Sequence, residues 1–387
     1  MMKTTRNTRK ILTERGAETK EMKPKRTLSR FLTVAAGVSL SVWSVTGEAS
    51  TITDNLYYTM GNQGNTTGNI FEMTATVSAQ TGAITYSNSS TSIAATGYGT
   101  TANGIVMNPA NGQLLVGGGQ SGGGFFPSPV YQVNPSTGNI ATATDPGYMN
   151  NVDMAVGPSN KVWTAGGGGS VASFPINPFG GSGTVLPLTG SDTAISSLAF
   201  DPKNNTMYYT SGGFYGNSTG NFGTLNLVTG KTTALLTNQP GMFNLAYDPF
   251  SGDLIAAGAS LITQITPAGS IVSGININAA MGSNGWVVSS IDTIGKGQLF
   301  ATTGGGTNGD NLLYFNYANN GLVGQYNYSA GARYMGFGLS GITGLTLPIT
   351  GGGPSAVPEP STGLLFLTGL AGVCWFGFTR RRSASYA

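Results

Sequence analysis

The chain has 387 residues, 61 of them glycine, with 9% charged residues and no histidine. This balance is poor in helix formers and rich in turn formers, which favours an all-β class. Its formal charge of +3 hides an asymmetry. Ten of the 18 Lys and Arg lie in the first 50 residues and three more at Arg380, Arg381 and Arg382, so residues 51–357 keep five cations against ten carboxylates, a net charge of −5. A body of that sign repels phosphate backbones and argues against nucleic acid as a partner.

Residues 1–49 read as an N-terminal extension and a signal peptide. From Met22, a basic stretch (Lys23, Lys25, Arg26, Arg30) precedes an apolar run from Phe31 to Val45, and Gly47 and Ala49 follow at cleavage-site spacing. That is the layout of a secretory signal, with Met22 as a second candidate start. A buried or amphipathic helix is the competing reading.

Residues 50–348 form a repetitive body. "GIVMNPANGQLLVGGG", "DMAVGPSNKVWTAGGGG", "SLAFDPKNNTMYYTSGG" and "NLAYDPFSGDLIAAGAS" each hold a short apolar strand, a Pro-centred turn and a second strand ending in glycine. Pro109, Pro158, Pro202 and Pro249 are spaced by 49, 44 and 47, and Thr293 in the weaker "SSIDTIGKGQLFATTGGG" follows 44 later. A period near 45 with four strands per unit predicts a β-propeller-like fold of six four-stranded blades. Pro sets φ at the first corner of each turn, Asn108, Asp201 or Asp248 before it can accept from the turn amides, and Gly112 or Gly252 takes the positive-φ position. These aspartates are therefore expected as turn makers. The outer hairpins turn at Thr81-Gly82, Thr137-Gly138 and Thr229-Gly230.

The body opens with second, third and fourth strands but no first, and "YMGFGLSGITGLTLP" at its end looks like a lone first strand. If that strand completes the first unit, the ring closes and no sheet edge is left open. A β-solenoid or β-sandwich is the alternative architecture.

Residues 349–357 are a Gly/Pro linker, and 358–387 a tail. Gly363 to Phe378 is 16 residues without a charge; with its polar flanks it reaches roughly 27 Å as a helix, against a hydrocarbon core of about 30 Å. The arginines after it place that end in the cytoplasm by the positive-inside rule. Cys374, the only cysteine, lies in this segment, so the body has no disulfide and no thiol chemistry.

The order Val357, Pro358, Glu359, Pro360, Ser361, then the apolar run with Gly369 and Gly372, then Arg380 to Arg382, resembles the sorting signal of PEP-CTERM proteins. The resemblance covers only about 25 residues and carries no statement about the body. It implies an exported bacterial protein whose partners are a secretion translocon and an exosortase-like membrane protease. Transient inner-membrane anchoring, removal of the tail near Pro358 to Pro360, and release to the cell surface or an extracellular polysaccharide matrix are also implied.

Within the body, each second strand runs into glycines: Gly61, Gly117 to Gly119, Gly166 to Gly169, Gly212 and Gly213, Gly258, and Gly304 to Gly306. In a propeller these loops gather on one face. Phe125, Phe126, Phe214 and Tyr215 add apolar rings beside exposed amides, a combination suited to stacking on sugar faces, so this face is the candidate polysaccharide-binding surface; packing between blades is the competing role for the glycines. No glycine run continues into the Gly-Lys-Ser/Thr of a phosphate loop. An exported hydrolase resembling six-bladed lactonases is the alternative function, with a channel metal on Asp153, Asn244 and Ser197. One acid with amides is a thin set for a divalent ion, so no metal, no cofactor and no catalytic residue are expected. Five Asn-x-Ser/Thr sequons, at Asn65, Asn88, Asn204, Asn217 and Asn327, are what an Asn/Ser/Thr-rich chain holds by chance.

Overall fold

A computed structural model describes residues 51–59, 69–78, 84–86, 91–95, 100–108, 110–120, 129–143, 153–166, 169–180, 183–212, 219–295, 298–303, 311–317, 321–327 and 342–343. The segments expected from the sequence to be a signal peptide and a sorting tail lie outside them. Among the described residues no helix is long and apolar enough to cross a membrane.

Six antiparallel sheets follow one another along the chain as the blades of a propeller. Blade 2 is Thr100–Met107, Leu114–Gln120, Val130–Val133 and Ile140–Ala143, and blade 3 is Asp153–Gly157, Lys161–Ala165, Ser170–Pro175 and Thr184–Pro187. Blade 4 is Ser197–Asp201, Thr206–Thr210, Thr219–Leu225 and Lys231–Pro240, and blade 5 is Asn244–Tyr247, Leu254–Gly258, Leu261–Ile265 and Ile271–Asn276. Blade 6 is Val288–Gly295, Gln298–Thr303, Asn311–Asn316 and Gly321–Asn327. In each the first strand is innermost.

Blade 1 is built from both ends of the body. Thr51–Thr59 pairs with Asn69–Ser78 on one side and with the late strand Ile342–Thr343 on the other, through Tyr57 opposite Thr343 and Tyr58 opposite Ile342. The outer strand of this blade comes in two pieces, Ile84–Tyr86 and Thr91–Ala95, both paired to Asn69–Ser78; the second piece was not expected from the sequence. Blade 4 also gains a short parallel segment, Thr189–Gly190, on its outer edge.

The strands are apolar on both faces because each blade is sandwiched between two others. In blade 2, Leu114 and Val116 pack with Tyr57 and Ile70 of blade 1, while Leu115 between them packs with Met154, Val162 and Phe174 of blade 3. The same alternation in blade 5 sends Leu254 and Ala256 toward blade 4 and Ile255 and Ala257 toward blade 6.

Two faces result. The turns between first and second strands, and those between third and outer strands, lie on one side, called here the Pro-turn face; the connections between second and third strands lie on the other, the Gly-loop face. Asp201 Oδ1 accepts from the Lys203 and Asn204 amides, Asp248 from those of Phe250 and Ser251, and Asn108 from that of Ala110. Gly112, Gly138, Gly230 and Gly252 all have φ between 70° and 78°, the left-handed region that glycine enters without strain.

The turn residues also fasten blades together. Asn108 Nδ2 donates to the Ile176 carbonyl of blade 3 at 3.1 Å. The Tyr247 hydroxyl of blade 5 bonds Asp201, and burial with that carboxylate pushes its pKa up to about 12. Tyr317, after the third strand of blade 6, donates to Asp248 Oδ2 at 2.5 Å. Thr293 departs from the repeat. Its spacing puts it at the Pro position of a turn, yet it sits inside the strand opposite Leu299, because bulges flank it at Val288/Ser290 and Thr293/Gly295.

Candidate functional sites

The inner strands start with a belt of polar side chains around the axis. Asp153, Ser197 and Asn244 occupy matching places in blades 3, 4 and 5, each paired across to its second strand just before the apolar core positions. Ser197 donates its hydroxyl to Asp153 Oδ2, and the Leu198 amide donates to the same oxygen at 3.1 Å. The Leu245 amide of blade 5 donates to Ser197 Oγ at 2.8 Å, and Asn244 Nδ2 donates to the Ser289 carbonyl of blade 6. Each member thus bonds the next blade, so the belt ties blades 3 to 6 together from the inside.

Register in blade 6 places Ser290 in the belt and Asp292 one step below it. Asp292 lies opposite Phe300 as Ala246 lies opposite Ile255, at a position that is Ala155, Ala199 or Ala246 in blades 3 to 5. Ile291 packs against blade 5, so by strand alternation Asp292 faces blade 1. Both acids keep partial solvent contact while burial dominates their surroundings. Burial pushes the Asp153 carboxyl up to about 6, against the lowering effect of its bonds from Ser197, Leu198 and Met154. Burial also raises Asp292 well above the ordinary carboxylate range; the Thr293 amide opposes this and the charge of Asp153 adds to it. Strand register separates Asp292 from the turn aspartates Asp201 and Asp248.

A divalent metal fits this belt poorly. One oxygen of Asp153 already takes two hydrogen bonds, Ser197 is both donor and acceptor, and Asn244 spends its amide nitrogen on a carbonyl. Calcium takes six to eight oxygen ligands. Among the described residues no group of three or more Asp, Glu, Cys or His is placed to hold a metal.

On the Gly-loop face, the described glycines serve close backbone approach. The Gly212 amide donates to the Met242 carbonyl, and a Cβ there would run into that same carbonyl. Gly118 faces the Pro129 carbonyl and the Tyr131 ring, and Gly258 lies against Gly241 and Phe243. Phe125, Phe126, Phe214 and Tyr215 lie outside the described residues. The strands flanking them are described: Leu114–Gln120 to Val130–Val133 in blade 2, and Thr206–Thr210 to Thr219–Leu225 in blade 4. The described strand ends that flank them lie on the Gly-loop side.

Residues 356–382 match the PEP-CTERM protein-sorting motif. They span Val357, Pro358, Glu359, Pro360, Ser361 and Arg380 to Arg382, all outside the described residues. Such signals are recognised by an exosortase, a membrane protein, and imply export with a membrane-anchored sorting signal. No curated protein matches the chain. Among solved structures, a putative 6-phosphogluconolactonase from Bacteroides uniformis is similar at 16% identity and a TM-score of 0.42, covering 71% of this chain and 84% of that one. The structure of U3-55K is similar at 11% identity and a TM-score of 0.44, covering 62% and 69%.

Proposed function

We propose that this exported propeller binds or organises extracellular polysaccharide through its Gly-loop face once an exosortase has removed its tail. The body comprises residues 50–348, and the separate linker 349–357 gives the protease room to reach the motif. What supports the reading is the order of these residues along the chain. Phe125 and Phe126 lie in sequence between the second and third strands of blade 2, and Phe214 and Tyr215 between those of blade 4, so the proposed surface is the Gly-loop face. Ring stacking on sugars needs no charge, in keeping with a body of net −5.

The polar belt supports a second reading. Two carboxyls with raised pKa values on the innermost strands are a setting for acid/base work, and an exported hydrolase or lactonase-like enzyme would use Asp153 and Asp292 there. The belt's hydrogen bonds between blades favour a structural role, which ranks this reading second.

One experiment separates the two. Alanine at Phe125, Phe126, Phe214 and Tyr215 should weaken retention of the purified protein on polysaccharide from its own matrix by about 1 to 3 kcal/mol, while Asp153→Asn leaves retention unchanged. Silent aromatic changes would end the binding reading. Turnover abolished by Asp153→Asn would promote the enzyme.

A further inference from the structure

The strand that closes the ring ends on one definite face. Ile342–Thr343 runs antiparallel to Thr51–Thr59, with Ile342 opposite Tyr58 and Thr343 opposite Tyr57. It is therefore headed toward the Thr51 end, where the second strand of the blade begins. In blade 5 the equivalent end is Tyr247 opposite Leu254, where the chain enters the turn of Pro249. In blade 1 the described strand ends there at Thr343, and the motif follows in sequence at 356–382. About twelve residues intervene, which at roughly 3.5 Å each is a tether of at most about 40 Å. The last described strand thus ends on the Pro-turn face, within that length of chain of the motif.

Two independent features of that face match a membrane surface. The most exposed large apolar side chains among the described residues are Val228, 86% exposed, and Phe250, 68% exposed. Val228 is in the third-to-outer turn of blade 4 and Phe250 in the Pro turn of blade 5, so both lie on the Pro-turn face. The three described lysines are there too: Lys161 opens the second strand of blade 3, Lys203 sits in the Pro turn of blade 4, and Lys231 opens its outer strand. Lys203 and Lys231 are exposed. Acids among these turns are turned inward or held: Asp201 and Asp248 are buried by their turns, and Asp253 accepts from Gln264. An acidic body thus shows its described cations and its most exposed apolar tips together.

We propose that the Pro-turn face is a membrane-docking face, resting on anionic phospholipid with Phe250 and Val228 at the headgroup boundary and Lys161, Lys203 and Lys231 paired to phosphates. Lysine near an anionic leaflet is attracted electrostatically, and apolar tips add binding at the interface. Docking fixes the orientation of the anchored protein, with the Gly-loop face turned away from the membrane. The inference rests on the sorting motif and strand topology and holds whether or not that outer face binds polysaccharide.

The test uses the full chain with Cys374→Ser, anchored in phosphatidylglycerol-containing vesicles and carrying one environment-sensitive fluorophore. The label is placed at Phe250→Cys, or at Ala280→Cys in the exposed part of the short helix Ile277–Met281, which follows the outer strand of blade 5 on the Gly-loop side. Acrylamide quenching should be at least about threefold weaker at 250 than at 280, and the protection at 250 should fall in vesicles of phosphatidylcholine alone or when the three lysines are changed to glutamine. Equal quenching at the two positions, or protection at 280 instead, overturns the proposal. Protection at 250 indifferent to both lipid charge and the lysines overturns the electrostatic part. Circular dichroism of each labelled chain shows that the comparison is between folded proteins.

Discussion

Tyr57, in the first described strand, lies opposite Thr343, in the last, and this pairing makes the propeller a closed ring. Without it Thr51–Thr59 would present an unpaired inner edge, and the 6/1 junction would lose its axial layer. Deleting residues 334–348 should therefore destabilise every blade together and promote association through the open edge. Thermal melting and sedimentation check this: a drop in Tm well beyond about 5 °C, with oligomers, is expected. A monomer melting at the wild-type temperature would show that closure contributes nothing.

Asp153 makes the stability of the ring depend on pH in a direction opposite to that of an ordinary salt-bridged acid. Its folded pKa of about 6 lies above that of a free aspartate, near about 3.9. Between those values the folded chain holds a proton that the unfolded chain has released, so this group's contribution falls as pH rises through the window and is most favourable below it. Asp292, raised by burial, acts in the same direction. Asp153→Asn should flatten the decline in urea-denaturation midpoint between about pH 4.5 and pH 7. An unchanged slope would assign the effect to other groups.

What was legible beforehand was what a short window encodes. The Pro turns announced themselves because Asn108, Asp201 and Asp248 act on amides two and three residues on, and because Gly112 and Gly252 mark positive φ locally. The second role of those side chains, bonding the next blade through Ile176, Tyr247 and Tyr317, depends on residues 46 to 69 positions away and leaves no local trace. Asp292 was hidden for a related reason. Bulges in the strand shift its register, so the regular spacing through Thr293 gave no sign of an acid that faces blade 1. Thr91–Ala95 was hidden by brevity, as a five-residue outer piece without a turn signal of its own.

Tyr317→Phe offers a clean measure of one fastener between blades. The hydroxyl reaches a fully buried carboxylate, Asp248, that also accepts from Ser251 and from the Phe250 amide. Removing one donor to a buried charged acceptor costs about 1.5–3 kcal/mol, read as a lower denaturation midpoint at unchanged m-value. A loss below about 0.5 kcal/mol would mean that solvent replaces the tyrosine at that junction.

Gly230→Ala should be among the costliest single-methyl additions in the body. Gly230 has φ of 71°, and a Cβ there would meet the Pro187 carbonyl oxygen of blade 3. Both the backbone conformation and the approach of two blades oppose the added methyl, for a combined cost on the order of 2–3 kcal/mol. Gly112→Ala is the control: its φ of 70° is similar, but nothing lies within 4 Å of the added carbon, so about 1 kcal/mol is expected. Equal losses at the two sites would remove the steric part of the argument.

Processing tests the tail directly, because the matched motif at 356–382 makes a statement about covalent fate that a plain membrane anchor does not. Val357 to Ser361 precede an uncharged apolar stretch closed by Arg380, Arg381 and Arg382, so a cut near Pro358 to Pro360 would separate the body from its only cysteine, Cys374. In cells with the sorting enzyme, mass spectrometry of the wild-type protein should find a C-terminus near the motif and no peptide containing Cys374. Changing Pro358, Glu359 and Pro360 to alanine should leave an intact, membrane-bound chain that still reacts at Cys374, and so should removal of the enzyme. The apolar stretch and the arginines are untouched by those substitutions, so membrane insertion itself should persist. The same soluble, truncated product from mutant and wild type would mean that a different protease acts on the linker 349–357 and that the motif is not what directs cleavage.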